Sequence, residues 1–205
     1  PARRGLVAAS LLTTVALGAP AESWAFANRF EEVKGPKRPG VQPPGVGQGG
    51  PLVGCGNAPN CFSSAPGTDE DHFLTPWRFS SGGVATAFAD IASIVRAYPP
   101  GQRGIDGGGF EIKRSDAQSG YLYVQFEALK KGYIDDVEFV VRSDSGSGSG
   151  EVLVRCASRV GRLDMGVNAK RLNRISEDLQ QLPGGRWAAP KISPEAFPKY
   201  VNENR

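Results

Sequence analysis

The sequence predicts an α+β domain: a four-stranded antiparallel sheet with two helices packed on one face, plus extended N- and C-terminal arms. Two observations support this fold class. Four segments in the middle of the chain alternate apolar and polar residues, the period of half-buried antiparallel strands. An amphipathic helical pattern precedes these strands and another follows them, so the simplest architecture is a two-layer sandwich.

The first 25 residues have the three parts of an export signal. Arg3 and Arg4 precede an uncharged apolar run over 5–19, and a small-x-small pattern ends at Ala25. The arginine pair is typical of a twin-arginine signal. The apolar run is shorter than the roughly 20 residues that span a membrane. A cleaved signal is therefore the first interpretation, and a retained anchor or a buried helix is the alternative.

Residues 26–54 are rich in proline and glycine, and 34–54 show no hydrophobic periodicity. This composition predicts an extended linker, which is either disordered or a strap that orders on the surface of a partner. Cys55 and Cys61 follow at the start of the α+β domain, 55–182. In an oxidising compartment they form a short disulfide loop, and elsewhere they are two free thiols.

Each element of the domain has its own pattern. The first helix covers 82–97 and ends at two prolines, and strand signals lie at 110–113, 121–129, 136–142 and 151–160. The second helix starts near 164–166, and the loop 143–150 joins the last two strands. The tail, 183–205, is expected to pack on the domain or on a neighbour. The apolar helical positions are Val84, Phe88, Ile91 and Val95, then Leu172, Ile175, Leu179 and Leu182.

One face of the predicted sheet is polar. Tyr121, Tyr123 and Arg155 lie on it, and we expect this face to meet solvent or a partner. Asp136 and Glu138 share the face, and cross-strand pairing with a neighbouring arginine explains them better than acid–base catalysis does. Asp135 and Cys156 fall on the other, apolar face, where the thiol is expected to be inert.

The junction between the last strand and the second helix holds the strongest candidate site. Asp164 is placed to cap the helix. Arg159 and Arg171 near a helix N-terminus are typical of a site for an anion such as a phosphate or a lipid headgroup. The candidate anion or partner site therefore comprises Arg159, Asp164, Asn168 and Arg171, and a purely structural junction is the alternative.

Composition argues against several function classes. The formal net charge is +3, from 24 basic and 21 acidic residues, which is too balanced for a dedicated nucleic-acid binder. One histidine, His72, and three cysteines without a Cys-x-x-Cys pair predict neither a metal site nor a cofactor. Nucleophile-elbow and phosphate-loop patterns are absent from the sequence, so we expect no enzyme and no catalytic residue.

Three segments carry a resemblance to a known family: PNCFSS at 59–64, YIDDVEF at 133–139 and SRVGRLDMGVNAKR at 158–171. On these segments, residues of about 55–182 resemble the family catalogued as domain of unknown function 1499, which is found in bacteria and plastids. The resemblance implies an exported or membrane-associated domain and implies no reaction.

The signal-like start, a first residue other than Met and the resemblance together favour a plastid protein of the thylakoid lumen, with the bacterial periplasm as the alternative. We expect a non-enzymatic accessory subunit on the lumenal side of a photosynthetic membrane complex, with photosystem core or antenna subunits as partners. The subunit is membrane-peripheral, or anchored by residues 5–19 if the signal is retained. The alternative function is a small-ligand or lipid-binding domain with its site between sheet and helices.

Overall fold

The centre of the protein is an antiparallel β-sheet. The computed structural model describes residues 26–30, 36–144 and 148–204. Within these ranges the chain forms seven strands and three α-helices. The strands are β1 (Cys61–Ser63), β2 (Trp77–Phe79), β3 (Phe110–Asp116), β4 (Tyr121–Glu127), β5 (Ile134–Ser143), β6 (Gly150–Ser158) and β7 (Trp187–Ala188). The helices are α1 (Gly83–Arg96), α2 (Val167–Gln180) and α3 (Pro198–Glu203).

The expectation of a four-stranded sheet with two helices is wrong. The strand order is β3-β4-β5-β6-β2-β7, and β1 also pairs with β6. β1 and β2 lie along the same edge of β6, where Phe62 is opposite Cys156 and Trp77 is opposite Val152. The three additional strands contain only two or three residues each, too few to show the two-residue period from which a strand is predicted.

The main hydrophobic core lies between one face of the sheet and helices α1 and α2. Ile91 of α1 and Ile175 of α2 are completely buried there, together with Phe139 of β5. The C-terminal tail completes this core, since Phe197 and Tyr200 pack against the ring of Phe62 with ring centroids 5.1 and 4.5 Å away. The tail therefore belongs to the domain and is not a separate arm.

A second layer covers the opposite face of the sheet. It is the proline- and glycine-rich segment 36–54, which we call the strap. The amide of Arg38 donates to the carbonyl of Lys131 at 2.8 Å, and the amide of Gly47 donates to a carboxylate oxygen of Glu138 at 3.0 Å. Val46 of the strap is completely buried. The strap is therefore ordered on the chain's own sheet. The sequence predicted either a disordered linker or a strap that orders on a partner, so this arrangement was not expected.

The strap corrects the expectation that the polar face is open. Tyr121, Tyr123 and Arg155 are 1%, 3% and 4% exposed. Val46 packs against both tyrosine rings, and the Nε of Arg155 donates to the carbonyl of Val53 at 3.2 Å. These three side chains are therefore covered by the strap and are not available to a partner in this structure.

Gly40 determines how closely the strap approaches the sheet. Its φ is +76°, and a Cβ there would lie 2.6 Å from Cγ2 of Val160 and 2.8 Å from Cβ of Arg159. We expect Gly40→Ala to cost about 1–2 kcal/mol from the left-handed backbone alone, and to lift the strap. Gly50→Ala is the matched control, because a Cβ there meets nothing within 4 Å.

Hydrogen–deuterium exchange checks this prediction. The Gly47 amide, bound to Glu138, is expected to exchange faster in Gly40→Ala and at the wild-type rate in Gly50→Ala. Equal exchange in the two variants would show that the strap is not held by the close contact at Gly40.

The expected signal or anchor, 1–25, lies outside the described residues, as do residues 145–147 within the predicted hairpin loop. Among the helices described, none is long and apolar enough to cross a membrane.

Candidate functional site

Arg171 is the centre of a buried charged cluster behind the β6–α2 junction. Its side chain is 0% exposed. The Nε donates to Oδ2 of Asp106 at 2.9 Å, and Nη2 donates to Oδ2 of Asp135 at 2.6 Å. The guanidinium carbon also lies 4.7 Å from the centre of the Phe126 ring. One arginine therefore holds two buried carboxylates, and it offers no exposed surface to an external anion.

The charge state of Arg171 follows from this cluster. Burial by itself would lower the pKa of the guanidinium, but the charges of Asp106 and Asp135 raise that pKa well above its ordinary value. Arg171 therefore stays charged, and its role in this geometry is to neutralise the two carboxylates.

Asn168 links this cluster to the strands. Its Oδ1 accepts from Nη1 of Arg171 at 2.5 Å and from the thiol of Cys156 at 3.1 Å. Its Nδ2 donates to the carbonyl of Asn60 at 2.7 Å and to the hydroxyl of Ser158 at 3.1 Å. Every polar atom of this completely buried amide is therefore bound within the protein, which is the arrangement of a structural residue.

Asp164 caps α2, as its position in the sequence predicts. Its carboxylate accepts from the amides of Gly166 at 3.0 Å and Asn168 at 2.8 Å, and from the hydroxyl of Tyr200 at 2.8 Å. Burial raises the pKa of the Asp164 carboxyl, and the hydrogen bonds from Asn168 and Tyr200 oppose the rise. The anion at this helix N-terminus is thus the protein's own carboxylate.

Arg159 lies on the other side of the sheet, under the strap. Its Nε and Nη2 each donate to Asp136 at 2.7 Å, in a bidentate pair. Arg155 faces Glu138 across β6 and β5, with Nη1 and Oε2 4.0 Å apart. The cross-strand pairing expected for the two carboxylates is present. The four predicted site residues consequently separate into Asp164, Asn168 and Arg171 on the helix face and Arg159 on the strap face.

The cysteines are arranged for stability. Cys55 and Cys61 form a disulfide, and Cys156 is a buried free thiol whose pKa is raised by burial to about 12. A thiol reagent is therefore expected to label no cysteine of the native protein, one after unfolding without reductant, and three after unfolding with reductant. Ellman's reagent in guanidinium counts these thiols. Three thiols in the unreduced, unfolded chain would contradict the disulfide.

Two carboxylates of the buried cluster were not identified as site residues from the sequence. Asp106 lies in the glycine-rich segment 104–109 with φ of +56°, a conformation that asparagine and aspartate adopt more readily than most residues. Asp135 lies on the apolar face of β5, opposite Ser158 of β6. A carboxylate on an apolar strand face needs a buried cationic partner, and this signal could have directed attention to Arg171.

A family model described as "Protein of unknown function (DUF1499)" matches residues 51–179. No curated protein and no solved structure shows a significant match to the chain. The matched span includes β1 to β6, the disulfide and nearly all of α2. The greater part of the strap and the C-terminal tail lie beyond it.

Proposed function

This chain belongs to the DUF1499 family, and we propose that it is a non-enzymatic accessory subunit that docks on the lumenal side of a photosynthetic membrane complex through its β6–α2 loop. We define this loop as residues 159–166. The observation that carries the proposal is a pair of exposed apolar side chains on it: Leu163 is 41% exposed and Met165 is 63% exposed.

The loop holds these two side chains on a fixed backbone. The side-chain oxygen of Asn204 accepts from the amides of Asp164 at 2.9 Å and Met165 at 3.1 Å. Met165 has φ of +56°, a conformation that costs a non-glycine residue about 1–2 kcal/mol. Such strain persists only where the surrounding structure determines it, and it is commonly found at functional sites.

The surroundings of the loop favour docking over chemistry. Leu163 borders a cavity of about 260 Å³ that Asp135, Ser158 and Asp164 also line. Asp164 caps α2 and Asp135 is paired with Arg171, so both carboxylates already have partners within the protein. The cavity is thus bordered by an exposed apolar side chain, and its carboxylates are already paired. Such a surface is better suited to binding a partner's side chain than to a reaction with a substrate.

The compartment in the proposal is supported by the Cys55–Cys61 disulfide. Disulfides persist in oxidising compartments outside the cytosol. The assignment to the thylakoid lumen is based on the targeting pattern of residues 1–25 and is part of the proposal. Photosystem core or antenna subunits are the partners that it names.

Gradient sedimentation of solubilised thylakoids tests the proposal. A tagged wild-type chain is expected to sediment with a membrane complex, and the double variant Leu163→Ser, Met165→Ser is expected to move to the free fractions. Phe73→Ser is the matched control, because Phe73 is also a 39% exposed apolar residue but lies outside the loop. Wild-type protein found only as free monomer would refute the proposed function.

A further inference from the structure

We infer that the protein binds a small organic carboxylate, one that also carries a hydroxyl group, in a cavity between the strap and the sheet. The cavity measures about 310 Å³, at the lower end of the range for small-molecule sites. Pro39, Gly40 and Gln42 of the strap form one wall, and Gln125, Ile134 and Arg159 form the other. The site shares only Arg159 with the β6–α2 loop, neither Leu163 nor Met165 lines it, and it does not depend on the proposed function.

Arg159 supplies the hydrogen-bond donor of the site. Its side chain is only 8% exposed, and Asp136 occupies its Nε and Nη2. Nη2 also donates to Tyr123 and Gln42. No residue in the described ranges accepts a hydrogen bond from Nη1, although Arg159 lines the cavity. A guanidinium binds a second acceptor readily through such a free edge.

Gln125 supplies the acceptor, and its orientation is fixed by the hydrogen bonds around it. The hydroxyl of Tyr123 donates to Oδ1 of Asp136 at 2.6 Å. Tyr123 must therefore accept from Gln125, whose Nε2 lies 2.7 Å from the tyrosine oxygen. The Oε1 of Gln125 is left without a donor among the described residues, in a side chain of a residue that is only 5% exposed.

These two groups define the ligand class. A carboxylate accepts from Nη1 of Arg159, and a hydroxyl on the same molecule donates to Oε1 of Gln125. Lys113, held by Glu111 at 3.1 Å, also lines the cavity and adds a positive charge. Pro39 and Ile134 offer apolar contact to the carbon skeleton. A ligand that hydrogen-bonds to both groups is therefore favoured over a carboxylate that lacks the hydroxyl.

One wall of the cavity belongs to the strap, so ligand binding is expected to stabilise the strap. Gly40 approaches Arg159 so closely that a Cβ would lie 2.8 Å from the arginine Cβ. A bound ligand that contacts both walls is therefore expected to slow exchange of strap amides as well as to raise the melting temperature.

The test uses purified full-length chain with sodium lactate, sodium malate and inorganic phosphate as probes, followed by calorimetry and thermal shift. At least one hydroxycarboxylate is expected to bind and to raise the melting temperature. Arg159→Lys keeps a charge beside Asp136 but removes the free N–H edge, and is expected to weaken binding about tenfold or more.

Two further variants complete the design. Gln125→Met removes the acceptor at similar size and is expected to weaken binding of hydroxycarboxylates. Arg78→Lys, at a half-exposed ion pair with Asp144, is the matched control and is expected to bind like wild type. Three results would each overturn the assignment: no probe binds wild type, Arg159→Lys binds as tightly as Arg78→Lys, or phosphate binds in place of both carboxylates.

Discussion

Replacing Arg171 with methionine is expected to lower the free energy of unfolding by about 3–5 kcal/mol, because it leaves two buried carboxylates without their cation. Asp106 is 3% exposed and Asp135 is 7% exposed, so water cannot solvate either charge well. Urea denaturation followed by circular dichroism measures the change. The Cys156 thiol and the amide of Asn168 also lose their contacts with Nη1, which adds to the cost.

Arg174→Met is the matched control for this prediction. Arg174 lies on the same helix and pairs with Asp178 at 2.8 Å, but its side chain is 35% exposed. A pair of this kind contributes about 0.5 kcal/mol or less.

A second substitution separates lost charge from lost packing. Arg171→Met combined with Asp106→Asn is expected to recover part of the stability, since the amide carries no charge and asparagine tolerates φ of +56°. If Arg171→Met and Arg174→Met differ by less than about 1 kcal/mol, the buried cluster does not stabilise the fold as argued.

Replacing Asp164 with alanine is expected to cost about 2–3 kcal/mol, from the loss of a helix cap together with the only described acceptor of the Tyr200 hydroxyl. Asp164 connects three parts of the protein: the β6–α2 loop, the first turn of α2 and the C-terminal tail. Its substitution is therefore expected to loosen the tail as well as the helix.

A double-mutant cycle with Tyr200→Phe isolates this connection. The coupling energy between Asp164→Ala and Tyr200→Phe is expected to be about 1–2 kcal/mol, measured by urea denaturation of the four proteins. Asp178→Ala, which removes a carboxylate from the exposed side of the same helix, is expected to show no coupling with Tyr200→Phe. Additive effects of Asp164→Ala and Tyr200→Phe would indicate that the tail is held by other contacts.

The longer elements follow from the sequence because their patterns span several periods. Helix α1 occupies Gly83–Arg96 against a prediction of 82–97, and β4 occupies Tyr121–Glu127 against 121–129. In each element the apolar residues repeat on one face, and that face packs in the hydrophobic core. The short strands β1, β2 and β7 lack a periodic signal, and they form because β6 and β2 offer them pairing edges.

The strap could not be predicted because many of its hydrogen bonds to the sheet use its backbone. The carbonyl of Gln48 accepts from Arg114 at 2.5 Å, and the carbonyl of Val53 accepts from Ser63 at 2.9 Å. Such bonds leave no pattern in the side chains of the strap. The sheet face beneath the strap is rich in tyrosine, glutamate and arginine. Such a composition predicts a solvent-exposed face, but in the structure these side chains pair with each other.

Only the part of the candidate site that depends on local spacing could be predicted from the sequence. The cap by Asp164 depends on local spacing along the chain, and the sequence is sufficient to find it. The partners of Arg171 are 65 and 36 residues away, so their meeting depends on how the sheet and α2 pack. Arg159 and Arg171 appear close in the sequence but lie on opposite faces of the sheet, because the chain leaves β6 between them.

Site-specific photo-crosslinking from position 165 tests the docking proposal most directly. A photoreactive amino acid in place of Met165 is expected, on illumination of intact thylakoids, to join the chain to a subunit of a membrane complex. The same amino acid in place of Phe73 is expected to give no such product, because Phe73 lies outside the β6–α2 loop. Equal crosslinking from both positions, or none from position 165, would contradict docking through this loop.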